Sequence, residues 1–496
     1  WTAEAVDSHG THVAGTVACD FGTTAVVDGV TIPHKISGVA PAAKLGNYNV
    51  FPGTLEGARS EDILDALEAA YADGMDIVNM SLGGGASGVQ DLLTIAVDNL
   101  DRGGMLSAVS AGNEGPGFST VGSPGSAARA LTAGASEVPH IVSMSITTNK
   151  GTAVATAGEF GTVTPSSMGP IDVVEGTGPA GVAALANVSL ACSAIPAGTG
   201  VAVISRGVCD FTVKVQNVQA AGYSAVIVVN RENGTFMMGT NGAPSQPTLP
   251  AVMVGLEDVS KVVGATGNVT FNAAKYYNPL GVANQMADFS SEGPTDVDRR
   301  IKPDVIAPGV NVLSSVVGGT FEFYNGTSMA APHLAGAAAV LMGRYPAWMP
   351  WQVRSAIVNT ASRVAISTYY PDDSAADPNL TGSGLLNLQA AVNTKVLLAP
   401  VSLNFGVAPS GAGTRVSKLV ALHNQSAGTL TVRVVGTSGG ATFTASGSAA
   451  ANSVGLVTVT ATTAKGAPRG HAWATLEVLN SSGTVVAHLR LYVLIT

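Results

Sequence analysis

The chain has 496 residues, a length that corresponds to about three domains, and its net charge is −9. Charged residues make up 11% and hydrophobic residues 46% of the chain, a balance that excludes an intrinsically disordered protein. Lysine and arginine form no runs, so nucleic acid is not an expected partner, because phosphate binding needs clustered cations. The uncharged residues 176–205 are interrupted by Gly, Pro, Ser and Asn, so no membrane span is predicted.

Cysteine is scarce, with only Cys19, Cys192 and Cys209 in the sequence. This excludes a disulfide-scaffold protein and a cysteine-rich metal site. Cys192 and Cys209 would pair in an oxidising compartment, which leaves Cys19 without a partner. The alternative is that all three are buried thiols that pack as small apolar side chains.

The first 135 residues alternate helical and strand patterns. Apolar residues recur with helical spacing over 61–71 and 89–100, and short apolar strands are predicted over 76–82 and 105–110. Helices that alternate with strands at this spacing indicate a parallel sheet with crossover helices. Functional groups in such sheets lie at the carboxyl ends of the strands, where this chain carries small polar residues.

The rest of the chain has two further textures. Residues 200–205 and 224–230 are predicted strands on either side of a helix over 211–221, in a region rich in Gly, Thr and Val. A strand is predicted over 303–307 and an Ala-rich helix over 329–341, so the helix and strand pattern of the first 135 residues resumes here. In the tail, residues 430–434 and 489–493 alternate apolar and polar side chains, which predicts half-buried antiparallel strands, and residues 480–483 are a predicted hairpin turn.

Two segments carry residues suited to nucleophilic catalysis. One is His-Gly-Thr-His-Val-Ala-Gly-Thr from His9, and the other is Gly-Thr-Ser-Met-Ala-Ala-Pro-His from Gly326. The second segment places Ser328 at the N-terminus of the Ala-rich helix, where unpaired backbone N–H groups can face an oxyanion, and Pro332 is expected in the first turn. A serine nucleophile needs an adjacent base, and the imidazole of His9 suits that role near neutral pH.

Together with the segments around Ser81 and Asn113, these motifs resemble the subtilisin-like serine proteases, the subtilase family. The resemblance covers residues 1–136 and about 280–395 and implies that Ser328 is the nucleophile and His9 the general base. It also implies that Asn113 donates its side-chain amide to the oxyanion hole, beside the Ser328 N–H. His12 and His333, each about one helical turn from a motif residue, are expected to be structural.

The resemblance also implies a substrate site. Its strand would pair with the substrate backbone and consists of Ser81, Leu82, Gly83 and Gly84. Gly83, Gly84 and Gly112 would leave room for a substrate side chain. Glu114 directly follows Asn113, so we expect its carboxylate at the rim of this pocket, where it would mildly favour neutral or basic over acidic side chains; the alternative is that Glu114 faces solvent.

The sequence departs from the family pattern at the triad aspartate. In the family order Asp, His, Ser, the aspartate precedes the histidine, but only eight residues precede His9 and none forms an Asp-Thr-Gly or Asp-Ser-Gly motif. Asp7 is too close in sequence to be expected behind the ring. We therefore expect the triad Asp, at least one core strand and the inhibitory propeptide upstream of Trp1. Loss of the Asp lowers turnover by about four orders of magnitude in subtilisin itself, so the chain alone would be impaired.

Two further resemblances concern the accessory regions. The run from Gly200 to Phe211 and the apolar segment 225–230 resemble a protease-associated (PA) domain, and the tail after residue 403 resembles a fibronectin type III-like domain. The expected fold class is α/β, a mostly parallel doubly wound catalytic domain with a β-rich insert and a C-terminal β-sandwich. The expected domains are catalytic over 1–140 and 276–398, PA over 141–275 and sandwich over 399–496.

The resulting hypothesis is a secreted serine endopeptidase that acts on protein or peptide substrates. The alternative is a subtilase-like binding or scaffold protein without activity. An α/β-hydrolase esterase is excluded, because no Gly-x-Ser-x-Gly elbow surrounds Ser328 and the His precedes the Ser. No cofactor is required by these residues; the resemblance implies calcium as the one candidate, for which no ligands can be placed.

Overall fold

A computed structural model of the chain describes residues 7–51, 57–85, 91–240, 245–279, 283–363 and 377–496. Its α-helices, in chain order, are α1 (Ser8–Ala18), α2 (Ser60–Ala72), α3 (Leu92–Gly103), α4 (Phe211–Ala220), α5 (Val259–Val262), α6 (Thr327–Arg344), α7 (Pro350–Asn359), α8 (Pro378–Thr381) and α9 (Leu388–Asn393). Short 3₁₀ helices cover Ala183–Leu185 and Leu256–Asp258.

The strands fall into several sheets along the chain. Those up to residue 279 are β1 (Val26–Val27), β2 (Val30–Thr31), β3 (Ile77–Met80), β4 (Leu106–Ser110), β5 (Leu131–Glu137), β6 (His140–Thr148), β7 (Gly151–Ala157), β8 (Ser166–Met168), β9 (Ile171–Val173), β10 (Val201–Ser205), β11 (Ala225–Val229), β12 (Ala251–Val254) and β13 (Val269–Pro279). Those that follow are β14 (Val305–Val310), β15 (Val312–Val316), β16 (Thr320–Tyr324), β17 (Val396–Ala399), β18 (Ser402–Ala408), β19 (Thr414–Asn424), β20 (Leu430–Ser438), β21 (Ala441–Ser446), β22 (Ser448–Ala449), β23 (Ser453–Thr463), β24 (Gly470–Leu479) and β25 (Val485–Ile495).

The predicted parallel sheet is present, with strand order β14-β5-β4-β3 and every neighbouring pair parallel. Strands β4 and β5 are buried along their whole length, and α6 packs against the sheet. Small residues let α6 pass close to its neighbours: a Cβ added to Gly336 would lie 2.6 Å from the Cβ of Val39. Helix α1 packs on α6, which brings the two candidate catalytic segments together.

The predicted helix over 89–100 is displaced towards the C-terminus, with residues 89 and 90 outside the described part of the chain. Helix α3 begins after Asp91, whose carboxylate accepts from the Thr94 N–H at 2.8 Å in a capping box. It continues to Gly103 and stops at Gly104, which has a φ of +103° that glycine adopts readily. Local capping therefore sets both ends, whereas apolar spacing marks only the buried face.

Residues 140–279, here called the insert, form an eight-stranded sheet of order β8-β13-β6-β7-β12-β11-β10-β9. Strands β9 to β12 are parallel, and α4 crosses from β10 to β11, as the sequence predicts for 200–230. Cys192 and Cys209 form a disulfide in front of α4, and Cys19 is a half-buried free thiol. The predicted pairing is therefore confirmed, and the alternative of three buried thiols is wrong.

The C-terminal strands form a four-stranded sheet, β17-β19-β23-β21, and a five-stranded sheet, β18-β25-β24-β20-β22, which share one apolar core. The predicted turn joins β24 to β25, where the Gly483 N–H donates to the Asn480 carbonyl at 2.9 Å. The half-buried pattern expected for β25 is wrong, because its polar face is buried too. That face packs on the first part of the molecule: Asn359 donates to the His488 carbonyl at 2.8 Å, and the His488 ring contacts the Ser383 carbonyl at 2.9 Å.

Candidate active site

Ser328 is the second residue of α6 and lies beside the segment that follows β3. Its hydroxyl donates to the Ser81 carbonyl at 3.3 Å, and the Ser81 hydroxyl donates to the Ser328 carbonyl at 2.6 Å. Pro332 lies in the second turn of α6, not in the first turn as predicted. Because proline has no N–H, the Ser328 carbonyl has no donor one helical turn later, and Ser81 supplies the missing hydrogen bond.

Asn113 lies in the segment after β4 and is oriented by the residue before Ser328. Its side-chain oxygen accepts from the Thr327 N–H at 3.0 Å and from the Thr327 hydroxyl at 2.9 Å. The Gly112 N–H in turn donates to that hydroxyl at 3.2 Å. These bonds fix the amide so that its Nδ2 group is the end left to donate elsewhere.

The Asn113 amide and the Ser328 N–H converge on one point in front of Gly326. A Cβ added to Gly326 would lie 3.6 Å from the Ser328 nitrogen and 3.7 Å from Asn113 Nδ2. Gly326 has a φ of +147°, which also favours glycine. Among the described residues nothing accepts from the Ser328 N–H, so two donors face the same small volume, the arrangement that stabilises an oxyanion.

His9 is in the first turn of α1, where Asp7 is the N-cap residue. The Asp7 carboxylate accepts from the His9 backbone N–H at 2.7 Å. Burial lowers the pKa of His9, and the nearby Asp7 charge opposes that shift, so the ring is neutral at pH 7 and able to accept a proton. Within the described ranges no side chain hydrogen-bonds to the His9 ring, so the carboxylate that would orient it is not among these residues.

The other two histidines near the site are held by packing, as expected. The fully buried His12 ring contacts the Val312 carbonyl at 2.9 Å and stacks on Tyr324 at 4.4 Å, and burial lowers its pKa to about 4. The His333 ring donates to the Met329 carbonyl one turn earlier at 2.8 Å, and burial lowers its pKa to about 4 as well.

The candidate substrate-binding residues lie at the open end of β3. Gly83 is exposed, whereas both backbone groups of Gly84 pair with Ser123, at 3.0 and 2.9 Å. A Cβ on Gly112 would lie 2.8 Å from the Ser291 hydroxyl, so this position needs glycine. Glu114 is exposed, and its backbone N–H donates to the same hydroxyl at 3.1 Å.

A cavity of about 440 Å³ opens beside His9, and part of its wall was not predicted from the sequence. The insert contributes Glu159, Arg206, Phe211, Phe236, Met237 and Gly239. The remaining lining residues are Asp7, His9, Asn113, Phe289, Phe323, Tyr324, Asn325 and Gly326. Arg206 and Phe211 belong to the run that resembles a PA domain, but no sequence pattern places any of the insert residues at this cavity. They reach it only through the packing of the insert against the rest of the molecule.

A network of buried charged side chains next to this cavity connects the insert to Asp288, which lies outside it. The Arg206 guanidinium contacts Glu232 at 2.9 Å and also pairs with Asp288, which lies outside the insert. Arg231 bonds to the same Asp288 carboxylate through its Nε at 2.5 Å. All four side chains are nearly inaccessible to solvent, so each charge is matched by a direct partner, as burial of charges requires.

The described residues contain no group of three or more His, Cys, Asp or Glu side chains placed to hold a metal ion. The calcium that the family resemblance implies therefore has no ligand set within these ranges, and no catalytic step is assigned to it. No helix in the part of the chain that the structure describes is long and apolar enough to cross a membrane.

Comparison with known proteins gives a consistent result. The family model of the subtilase family, peptidase S8, matches residues 2–391. The chain is 32% identical over 423 residues to the minor extracellular protease Vpr of Bacillus subtilis, covering 81% of the chain and 47% of Vpr. It is 31% identical to the subtilisin-like protease SBT1.7 of Arabidopsis thaliana, covering 72% of the chain and 48% of that protein. The PIII-type proteinase of Lactococcus lactis is 28% identical over 79% of the chain and 22% of its own length. The chain thus spans about half or less of these relatives.

Proposed function

The chain belongs to the subtilase family, and we propose from that premise that it is the catalytic part of a secreted serine endopeptidase acting on proteins and peptides. The observation that carries the proposal is the convergence of Asn113 Nδ2 and the Ser328 N–H on the space in front of Gly326. A binding or scaffold protein has no need of two donors aimed at one point. Secretion is supported by the Cys192–Cys209 disulfide and by the name of the Bacillus relative.

In the proposed reaction His9 takes the proton of the Ser328 hydroxyl as the oxygen attacks the scissile carbonyl carbon. The carbonyl oxygen becomes an oxyanion that accepts from the Ser328 N–H and from Asn113 Nδ2. His9 then gives its proton to the leaving amine, and an acyl-enzyme on Ser328 remains for water to hydrolyse. Because Asp7 caps α1, we propose that the carboxylate that orients the His9 ring lies outside the described residues.

The acyl side of the substrate would pair with the strand end formed by Ser81, Leu82 and Gly83. Gly84 keeps its pairing with Ser123 and bounds this strand. We propose that the side chain before the scissile bond lies in the space beside Gly83 and Gly112, although the Cβ direction of Gly112 itself is taken up by Ser291. Glu114 would stand at the rim of that space. We further propose that the insert is a PA domain, that the two C-terminal sheets are a fibronectin type III-like domain, and that an inhibitory propeptide precedes the chain.

A fluorophosphonate probe tests this function in the full-length protein. We expect the probe to label Ser328, and Ser328→Ala to abolish both labelling and peptide hydrolysis without unfolding the protein. Ser224→Ala, at an exposed serine of the insert, is the matched control and should behave as wild type. A folded wild-type protein that is neither labelled nor active would instead support the alternative, a subtilase-like scaffold.

A further inference from the structure

The cavity beside His9 lies on the side of the scissile bond from which the amine departs. Its lining includes His9, Asn113 and Gly326 but none of residues 81–84, which would hold the acyl side. Because His9 hands its proton to the leaving amine, the segment that carries this amine must pass next to its ring. The first side chain after the scissile bond is therefore the part of a substrate that faces the cavity.

Aromatic side chains and Met237 form one part of the wall of this cavity, beside its charged and polar groups. Phe211 and Phe236 of the insert meet edge to face, with ring centroids 5.9 Å apart, and Met237 directly follows Phe236 in the chain. Phe289 and Phe323 add apolar surface from outside the insert. Such walls suit a long hydrocarbon stem better than a short polar side chain.

The charges of the cavity favour a cation. Arg206 lines it, but Glu232 and Asp288 already neutralise its guanidinium. Glu159 has an exposed side chain whose Oε2 accepts from the Thr240 N–H at 3.1 Å, and within the described ranges no lysine or arginine forms an ion pair with it. Partial burial raises the pKa of Glu159, the Thr240 N–H opposes this shift, and the nearby Glu322 charge adds to it. A cation beside Glu159 would favour its ionised form and so offset the effects that raise this pKa.

We propose that this cavity selects lysine or arginine as the first residue after the scissile bond, with Glu159 as the counter-charge and the phenylalanine walls as support for the side-chain stem. The proposal rests on the proposed endopeptidase function. Asp7 adds a second negative charge to the lining. Because the Glu159 side chain is accessible to solvent, the preference should be about three- to five-fold, the upper part of the range expected for an exposed ion pair.

An acyl-transfer experiment measures binding at this cavity separately from binding of the acyl side of the substrate. The acyl-enzyme is first made from a peptide ester, and an added amine then competes with water for it. The amine nitrogen forms a bond to the acyl carbon, the bond from that carbon to Ser328 Oγ breaks, and the amine proton passes through His9 to Ser328. Lysinamide and norleucinamide, nearly equal in stem length, differ in charge. We expect the wild type to prefer lysinamide about three- to five-fold, and less at high salt.

Glu159→Gln should bring the preference for lysinamide over norleucinamide close to one. Glu159→Lys should make the α-amide of glutamic acid, whose side chain is a carboxylate, the better acceptor. Glu175→Gln, at an exposed glutamate of the insert outside the cavity, is the matched control and should keep the wild-type ratio. Fluorophosphonate labelling of each variant confirms that its site is folded. A ratio near one in the wild type, or an unchanged ratio in Glu159→Gln, overturns the subsite. Failure of the wild type to form any acyl-enzyme would instead overturn the proposed function.

Discussion

Replacing Asn113 by aspartate separates the two roles of its amide group. In the structure the side-chain oxygen accepts from the N–H and hydroxyl of Thr327, while Nδ2 faces the space in front of Gly326 that we propose as the oxyanion position. Aspartate keeps an oxygen for both Thr327 bonds but has no N–H to donate. It also places a negative charge where the oxyanion forms, so transition-state stabilisation should be lost while the local structure is kept.

The expected size follows from which bonds each variant breaks. Loss of one oxyanion donor costs about 2.7–4 kcal/mol, or 10²- to 10³-fold in kcat, a range established for subtilisin, a member of this family. Asn113→Ala loses this donor and also leaves the Thr327 N–H, on a residue that is only 1% exposed, without its acceptor. An unpaired buried donor costs about 1–3 kcal/mol of stability. Both variants should therefore lose activity, but only the alanine variant should also be destabilised.

Steady-state kinetics on a peptide substrate and urea unfolding of the full-length protein together test this reasoning. We expect Asn113→Asp to unfold close to the wild-type midpoint with kcat lowered at least about 10²-fold and KM little changed. Thr327→Ser, which retains the hydroxyl, is the control and should stay near wild type. A loss confined to KM would mean that Asn113 only positions substrate, and a nearly active Asn113→Asp would refute the oxyanion role.

Two further predictions concern charge. Asp7→Asn keeps a side chain that caps α1 but removes the charge that raises the pKa of His9. The acidic limb of the pH profile of kcat/KM should therefore move to lower pH. An acidic limb at the wild-type pH would contradict this prediction. Burial and Glu232 raise the pKa of Glu137 from 4.5 to about 9, so the folded state holds a proton that the unfolded chain releases. Stability from this group is full below pH 4.5 and is lost as pH rises towards 9. Glu137→Gln, which mimics the protonated form, should therefore gain in urea midpoint over wild type between pH 5 and pH 8, and a constant difference would contradict the assignment.

Local sequence patterns predicted those helices and strands whose ends are set by nearby residues. Helix α2 and strands β3, β4, β10 and β11 lie where apolar periodicity and glycine placed them. The turn between β24 and β25 was equally clear. Strand β25 shows the limit of this approach, because alternation reports one buried face and cannot show that α7 and α8 cover the other.

The candidate site shows the same division. Short motifs predicted Ser328, His9 and Asn113 as site residues because their local sequence is distinctive. The bonds from Thr327 to Asn113 and from Ser81 to Ser328 join residues more than 200 positions apart, and no local pattern encodes them. The position of Phe236 in the cavity wall could not be predicted for a similar reason, because it depends on how the insert packs on the rest of the molecule.

The insert leaves and rejoins the chain at neighbouring points. Strands β6 and β13 are antiparallel partners, with Ile141 opposite Asn278 and His140 opposite Pro279, so their backbones are only about 5 Å apart. The insert therefore connects two neighbouring points of the chain, as a short hairpin turn would. The pairing of β6 with β13 within the insert holds these two points together. The length of the insert therefore adds little entropic cost to the fold of its host. Changes within such a unit can therefore alter the cavity beside His9 while the segment that carries Ser328 stays unchanged.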